Sequence, residues 1–267
     1  MTIVYYAPTW EGFLTAVFEA FDRRRKGEAL SVRNPREQND ISIFPSEQLA
    51  PDAAKAARVE KGMARLAPDL PETVYMAWLS ELPGVEDDLL ALLKKGFDRN
   101  RDPRGNLADP VWACVNKACR QTGWERQRML QFVRFVQTPE GIYIADIEPN
   151  SNVLALIAGH FHSRFNDQRL LIRDLRRRLI LVSRQEDWFI RELSPEEDVP
   201  PLPEDGLFED LWRGYFHAVS NPARINLKLQ QKFVPLRYRE HLTEFQIHCG
   251  HSQSPNVKSN FTKGKNK

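Results

Sequence analysis

The sequence predicts an α+β fold, in which an antiparallel sheet made of a hairpin and a meander packs against several helices. Two alternating segments, 131–137 and 142–147, flank a Thr-Pro-Glu-Gly sequence that is typical of a hairpin turn. Three more short runs, at 169–173, 177–183 and 188–192, have polar connections and predict an antiparallel meander. Elsewhere apolar residues recur at spacings of three and four, which predicts helices that cover the sheet.

The N-terminal part predicts one strand followed by a series of helices. Residues 2–6 are β-branched and aromatic and predict the strand, and Thr9 is placed to cap the helix after it. That helix is expected to end near Gly27, after a basic run that complements its dipole. A polar loop is predicted over 27–40, with a short strand at 41–44. The next predicted helices cover 52–66, 72–80, 85–97, 109–121 and, as a separate piece, 124–130.

The hairpin predicts one charged pair across its two strands. With a three-residue loop, Arg134 would lie opposite Asp146. A cross-strand ion pair is therefore the favoured interpretation of Arg134, and contact with a nucleic-acid phosphate is the alternative.

The helix after the hairpin carries two histidines that cannot share a metal ion. Its polar cap lies at 150–152, and its apolar stripe begins at Leu154. His160 and Arg164 lie on one flank of the stripe and His162 on the other, because two helical steps rotate the chain by about 200°. Paired histidine ligands on a helix need a spacing of three or four, so neither a metal nor another cofactor is predicted. A surface role is favoured for His160, and contact of His160 and Arg164 with a phosphate or base is the alternative.

Basic residues are unevenly distributed along the chain. The formal net charge is +2, but residues 211–267 hold ten Lys and Arg against two Glu. Arg224, Lys228 and Lys232 recur every fourth residue along one predicted helix, a spacing that favours a polyanionic partner and that a solvated face would also show. The densest basic cluster surrounds Arg177. There a solvated or Asp174-paired turn is favoured over phosphate contact.

The predicted organisation has four parts. A main α+β domain covers 1–195, and an acidic linker covers 196–210. A helical segment over 211–247 is expected to pack on the main domain, followed by a disordered basic tail over 248–267. No apolar run approaches the roughly 20 residues of a membrane span, and the N-terminus lacks the pattern of an export signal. A cytoplasmic protein is therefore expected.

The three cysteines argue against a disulfide-stabilised protein and against a radical-SAM enzyme. Cys114, Cys119 and Cys249 do not form a disulfide framework, which fits a reducing compartment. Their spacing also does not match the three closely spaced cysteines of a radical-SAM cluster. Cys114 and Cys119, five residues apart in a predicted helix, are expected to be buried thiols.

Several stretches occur in the order expected for a known family. They are EGFLTAVFEAF (11–21), KAARVEKG (55–62), ERQRMLQFVRF (125–135), NVLALIAGHFHSRF (152–165), Asp174 with Arg177, and LWRGYF with NLKLQQKFVPLRYREHL (211–242). Together they resemble an uncharacterised bacterial family described as probable DNA metabolism or putative DNA repair proteins. Its members are typically encoded beside a radical-SAM protein, and some are fused to a uracil-DNA-glycosylase-like domain. The chain departs from the family at Arg239, where a tryptophan is typical.

The resemblance implies a stand-alone accessory protein that binds DNA and works with a radical-SAM partner, and with a uracil-DNA-glycosylase-like protein as a further partner. It supplies no catalytic residue. The residues that would hold phosphates or stack on a base are Arg134, Arg164, Arg177, Arg224, Lys228, Arg237 and Tyr238.

Two alternatives belong to other functional classes. One is a stand-alone enzyme that processes a nucleobase or DNA, with Asp146 or Glu148 as acid or base and His160 nearby. The other is a protein–protein adaptor without nucleic-acid contact, for which the acidic segment 194–210 would be the docking site.

Overall fold

The protein is described here by a computed structural model. The residues that it describes are 2–28, 30–34, 44–194, 196–197, 202, 207–221 and 226–245. They belong to two compact units, Met1–Gly206 and Leu207–Lys267. The boundary between the units falls inside the predicted acidic linker. The α+β class is confirmed, whereas the arrangement of the strands differs from the prediction.

The first unit opens with a parallel sheet of three strands. Strand β1 (Thr2–Tyr6) lies between β2 (Leu30–Arg33) and β3 (Ser46–Leu49). The prediction of β1 is confirmed, but β2 lies where a polar loop was expected. Most of the predicted strand at 41–44 lies outside the described residues, and β3 follows it. Both outer strands are four residues long and partly polar, so their own sequences are weak strand signals.

The helices of this unit confirm most of the predicted pattern. Helix α1 (Trp10–Arg25) begins after Thr9, whose Oγ1 accepts a hydrogen bond from the Gly12 N–H at 3.0 Å. The chain turns away after it at Gly27, where φ is +85°. Four helices follow: α2 (Ala53–Leu66), α3 (Leu70–Trp78), α4 (Val85–Arg99) and α5 (Pro110–Phe132).

One hydrophobic core joins β1 and α1–α5. Tyr6 and Phe13 from the N-terminal strand and helix, Val74 from α3, Leu89 from α4 and Val115 from α5 are all buried in it. These elements share their apolar faces, so none of them has an independent core.

Helix α5 corrects two predictions. It is continuous over 23 residues, although two pieces with a break near Gly123 were expected. It also extends to Phe132, so the predicted strand over 131–137 is reduced to β4 (Val136–Gln137). Glycine inside a helix costs only about 1 kcal/mol relative to alanine, which the buried face of α5 readily offsets.

A mixed sheet of five strands follows, in the order β4-β5-β6-β7-β8. Its strands are β5 (Ile142–Ile147), β6 (Arg169–Asp174), β7 (Leu179–Ser183) and β8 (Trp188–Glu192), in addition to β4, and helix α6 (Leu154–Arg164) connects β5 to β6. The predicted hairpin and meander are antiparallel, but β5 and β6 pair in parallel. A helical crossover between neighbouring strands returns the chain in the same direction, so the purely antiparallel prediction is wrong at this pairing.

The second unit contains short helices in its described residues. They are α7 (Leu207–Val219), α8 (Leu227–Phe233) and α9 (Leu236–Arg239), followed by a 3₁₀ turn at Thr243–Phe245. The predicted basic tail over 248–267 lies outside the described residues. In the described parts of both units, no helix is long and apolar enough to cross a membrane.

The two described cysteines differ from the expected pair of buried thiols. Cys114 is exposed, so that prediction is wrong for it, whereas Cys119 is partly buried. The Cys119 thiol donates to the Thr73 carbonyl oxygen at 3.2 Å, and burial raises its pKa to about 11.

We expect iodoacetamide to alkylate Cys114 in the native protein at least about tenfold faster than Cys119 near pH 8, because the thiolate is the nucleophile and access is required. Peptide mass spectrometry of timed samples measures both sites. In urea the two rates should converge, and equal rates in the native protein would contradict the difference in burial.

Candidate nucleic-acid interface

Helix α5 presents one face to the core and the opposite face to solvent. It begins at Asp109, whose Oδ1 accepts the Val111 N–H at 2.9 Å, and Pro110 occupies its first turn. Its buried residues are Val115, Ala118, Thr122, Glu125 and Met129. At about 1.5 Å per residue the helix is roughly 35 Å long, so its outer face is an extended surface.

The outer face of α5 is basic and carries an exposed aromatic ring. We call it the α5 basic face, and its residues are Lys117, Arg120, Trp124, Gln127, Arg128 and Gln131. At about 100° per residue these positions fall within an arc of roughly 100°. Trp124 is 56% exposed, and the Arg120 guanidinium carbon lies 5.0 Å from the centre of its ring. Guanidinium and indole groups therefore share one solvent-facing surface.

No carboxylate of α5 neutralises this face from the solvent side. The only acidic residue of the helix is Glu125, which is 1% exposed. Its Oε1 accepts the Asn150 N–H at 2.7 Å, and its Oε2 lies 3.6 Å from Arg128 Nη1. Glu125 thus binds the loop before α6 to α5 and orients Arg128, while Lys117 and Arg120 remain exposed.

Arg134 lies just beyond the end of α5 and does not pair with Asp146. The hairpin register, Val136 with Ile144, is the one that the three-residue loop predicts, but the ladder stops before Arg134. Its Nη1 instead donates to the Gln131 carbonyl oxygen at 2.8 Å. The predicted cross-strand ion pair is therefore wrong, and Arg134 continues the basic end of α5.

Asp146 is paired across the parallel neighbour of its strand. Arg173 faces it on β6, and Arg173 Nη2 donates to Asp146 Oδ2 at 2.7 Å. Glu148 and His160 are exposed, and no hydrogen bond in the described chain joins any two of the three proposed acid–base residues. They do not form a constellation for acid–base chemistry.

The C-terminal half of α6 lies beside the segment that holds Arg134. The ring of Phe135 is 5.4 Å from Phe161 and 4.9 Å from Phe165, measured between ring centres. His160 and Arg164 are exposed on α6, on the same flank as predicted. The aromatic contacts therefore bring the segments carrying Arg134 and Arg164 together.

Arg177 is a buried structural residue and is removed from the candidate interface. Its side chain is 1% exposed and pairs with Glu81 at 2.7 Å and Asp174 at 2.9 Å. It also donates to the carbonyl oxygens of Pro149 and Asn150, at 2.9 and 2.7 Å. Its Nε also donates to Glu81 Oε2 at 3.0 Å, so all five guanidinium N–H groups are used. The Asp174-paired interpretation is confirmed, and no N–H group of Arg177 is left for a phosphate in this structure.

The second unit holds the remaining candidates. Lys228 is exposed on α8, and Arg224 lies outside the described residues. The Arg237 guanidinium carbon lies 4.5 Å from the ring centre of Tyr238, which is only 3% exposed. Stacking of Tyr238 on a base, as predicted, is therefore not possible in this structure, whereas Lys228 and Arg237 remain at the surface.

The sequence-based prediction missed the α5 basic face because it divided the helix. In a continuous helix, Lys117, Arg120 and Trp124 are separated by three and four residues, which places them on one face. That spacing was the available signal. Within the described residues no group of three or more His, Cys, Asp or Glu side chains could hold a metal ion.

The sequence matches the model of one protein family. A family described as a domain of unknown function, DUF4130, matches residues 83–244. No curated protein matches the chain. One solved structure, described as a member of the s1p family of ribosomal proteins and a DHH domain, aligns with 68% of this chain and 73% of its own, at 9% identity and a TM-score of 0.25. That similarity is too low to indicate a function.

Proposed function

We propose that this chain, which belongs to the DUF4130 family of unknown function, is an accessory DNA-binding protein. Its α5 basic face holds the nucleic acid. A partner enzyme then acts on the bound DNA. In keeping with the resemblance described above, the proposed partners are a radical-SAM protein and a uracil-DNA-glycosylase-like protein in DNA repair or DNA metabolism.

The observation that carries the proposal is the exposed Trp124 beside two exposed cations, Lys117 and Arg120, on the outer face of α5. Lys117 and Arg120 are suited to phosphate oxygens, and Gln127 and Gln131 can donate to phosphate or sugar oxygens. An indole at the surface can stack on an unpaired base, a contact that tolerates any sequence. Single-stranded or locally opened DNA is therefore the expected ligand.

Arg134 and Arg164 extend this surface in the first unit. Arg134 is held at the end of α5 by its hydrogen bond to Gln131, and Arg164 is exposed on the adjacent end of α6. In the second unit, Lys228 and Arg237 are retained as further phosphate contacts. Arg177 and Tyr238 are excluded by their burial.

Trp124→Ala should weaken binding of a fluorescent single-stranded oligonucleotide by about tenfold, because one base–aromatic stack is worth about 1–3 kcal/mol. Fluorescence anisotropy at several salt concentrations measures the affinity, which should fall steeply between about 50 and 200 mM salt.

The matched control is Trp188→Ala, which removes an indole that is 39% exposed on β8. It should leave the affinity within about twofold. Binding that does not weaken as salt rises, or an equal loss in both variants, would rule out the α5 basic face as the DNA site.

A protein–protein adaptor is the second candidate, and one observation in the second unit favours it. Leu211, Tyr215 and Val219 recur every fourth residue on α7 and are 58%, 59% and 59% exposed. Large apolar side chains in such a row are typical of a docking face. About half of the acidic segment 194–210 lies outside the described residues.

Leu211→Asp with Tyr215→Asp should abolish co-purification with the radical-SAM protein if that protein docks on this row, because two carboxylates would have to be desolvated in the interface. Glu209→Gln, on the same helix, serves as a control for general effects on α7. DNA binding through α5 should be unchanged in the double variant, and retention of the partner would contradict docking on α7.

A further inference from the structure

A depression between α1, α2 and α4 lies on elements separate from the α5 basic face. It encloses about 480 Å³, a volume within the range of small-molecule sites. Its lining combines three phenylalanine rings with arginine and lysine side chains.

The floor of this depression is apolar and largely aromatic. Phe21 of α1 and Phe97 of α4 meet edge to face, with their ring centres 5.6 Å apart. The Phe97 ring also lies close to Gly62 of α2, where a Cβ would be 3.2 Å from Phe97 Cε1. A third ring, that of Phe18, has the Arg58 guanidinium carbon 5.0 Å from its centre. All three rings are partly exposed and line the depression, so its floor offers aromatic surface to a flat apolar group.

The rim is strongly basic. Lys94 pairs with Asp98, the single acid of the lining, whereas Arg24, Arg25 and Arg58 form no ion pair in the part of the chain that the structure describes. The lining carries four cations and one carboxylate, which is a net charge of +3. Three guanidinium groups around one concavity repel one another, and an anion bound among them would relieve that repulsion.

We propose that this depression is a second binding site, specific for a nucleotide unit. The aromatic floor takes the base, and the guanidinium groups of Arg24, Arg25 and Arg58 take the phosphate. Arginine is suited to this role because its planar fork of donors matches the oxygen geometry of phosphate. A simple phosphate site would not need the three phenylalanine rings, and an apolar ligand would not need the cations.

A neighbouring depression gives the site an extension. It encloses about 560 Å³ and shares Phe21, Arg24 and Lys94 with the first. A free nucleotide would occupy the first depression alone, and a single strand would place its next nucleotide in the second. A free nucleotide and a single strand both present a base and a phosphate, so their relative affinities show which of the two is the ligand.

The test is isothermal titration calorimetry of the full chain with three probes. They are deoxyadenosine 5′-monophosphate, deoxyadenosine and inorganic phosphate. We expect the monophosphate to bind at least tenfold more tightly than either half. Equal affinity for phosphate alone would overturn the base contact, equal affinity for deoxyadenosine would overturn the phosphate contact, and no binding of the monophosphate would overturn the site.

The variant Arg24→Gln with Arg58→Gln should weaken monophosphate binding at least tenfold without changing the thermal unfolding midpoint. Arg65→Gln is the matched control, because Arg65 is exposed on α2 but does not line the depression. It should leave the affinity within twofold. An equal loss in the control, or no loss in the double variant, would overturn the assignment.

Two further arms identify the ligand source and separate this site from the α5 basic face. In the Trp124→Ala chain, a five-nucleotide deoxyadenosine strand that binds at least tenfold more tightly than the monophosphate, and that loses this affinity when Arg24→Gln and Arg58→Gln are added, identifies single-stranded nucleic acid as the ligand of the depression. Similar affinity for the two probes identifies a free nucleotide. Trp124→Ala should leave monophosphate binding unchanged whether or not α5 binds DNA. Loss of monophosphate binding in Trp124→Ala would overturn the second site.

Discussion

Replacing Arg177 with methionine should lower the free energy of unfolding by about 3–5 kcal/mol, because removing one partner of a buried ion pair leaves the other charge uncompensated. The Asp174 side chain is 0% exposed and lies 2.9 Å from Arg177 Nη1. The change also removes the donors to Glu81 and to two carbonyl oxygens. Urea unfolding monitored by tryptophan fluorescence measures the loss.

The same variant should show a characteristic pH dependence. Burial raises the pKa of Asp174, and Arg177 opposes that rise. Without the guanidinium the folded pKa is higher still, so the folded state retains a proton that the unfolded state has released. Stability then falls as pH rises from the unfolded pKa, near 3.8, to the folded pKa. The loss of unfolding free energy in the Arg177→Met variant, relative to wild type, should therefore be smaller at pH 5 than at pH 8.

Arg176→Met is the control for this prediction. Arg176 is exposed beside Arg177, and its Nη1 lies 3.3 Å from Asn150 Oδ1. Its loss should cost no more than about 0.5 kcal/mol. Similar losses in the two variants would show that the buried network does not anchor the turn between β6 and β7.

Reversing the charge of Lys117 and Arg120 together should weaken DNA binding by roughly 100-fold at 50 mM salt. Each lost phosphate contact lowers the salt slope by about one, so the slope should fall by about two and the difference should shrink at high salt. Both residues are exposed on α5, so the fold should tolerate glutamate there. Salt-titrated anisotropy measures the slope directly.

Lys61→Glu with Arg65→Glu is matched to this variant in charge and exposure, but it lies on α2. It should reduce affinity far less, because only long-range repulsion changes. If both double variants lose affinity equally, DNA responds to total charge and the α5 basic face is not the contact surface.

Local chemistry made much of the fold predictable. The hairpin register followed from loop length, since a three-residue connection sets which residues face each other. The cap at Thr9 followed from a single side-chain oxygen. The parallel pairings were missed because strand alternation does not record direction, and the short β2 and β3 depend on β1 for their hydrogen bonds.

The surroundings of the candidate site residues were less predictable, because they depend on contacts between positions far apart in the sequence. Arg177 looks like a surface cation until Glu81, 96 residues earlier, is known to lie beside it. No periodicity encodes that contact. The basic rim between α1 and α2 is likewise assembled from positions far apart in the sequence, although each of its arginines has an ordinary local explanation on its own helix.

The shared core of β1 and α1–α5 has a consequence for what can be produced as a fragment. The family match starts at residue 83, yet Leu89 and Val115 lie beyond that point and pack with Tyr6, Phe13 and Val74 before it. A fragment of residues 83–244 would expose the buried faces of α4 and α5 to water. It would also lack Glu81, the ion-pair partner of Arg177. We therefore do not expect residues 83–244 to fold on their own in this chain, and expression trials should retain the preceding 82 residues.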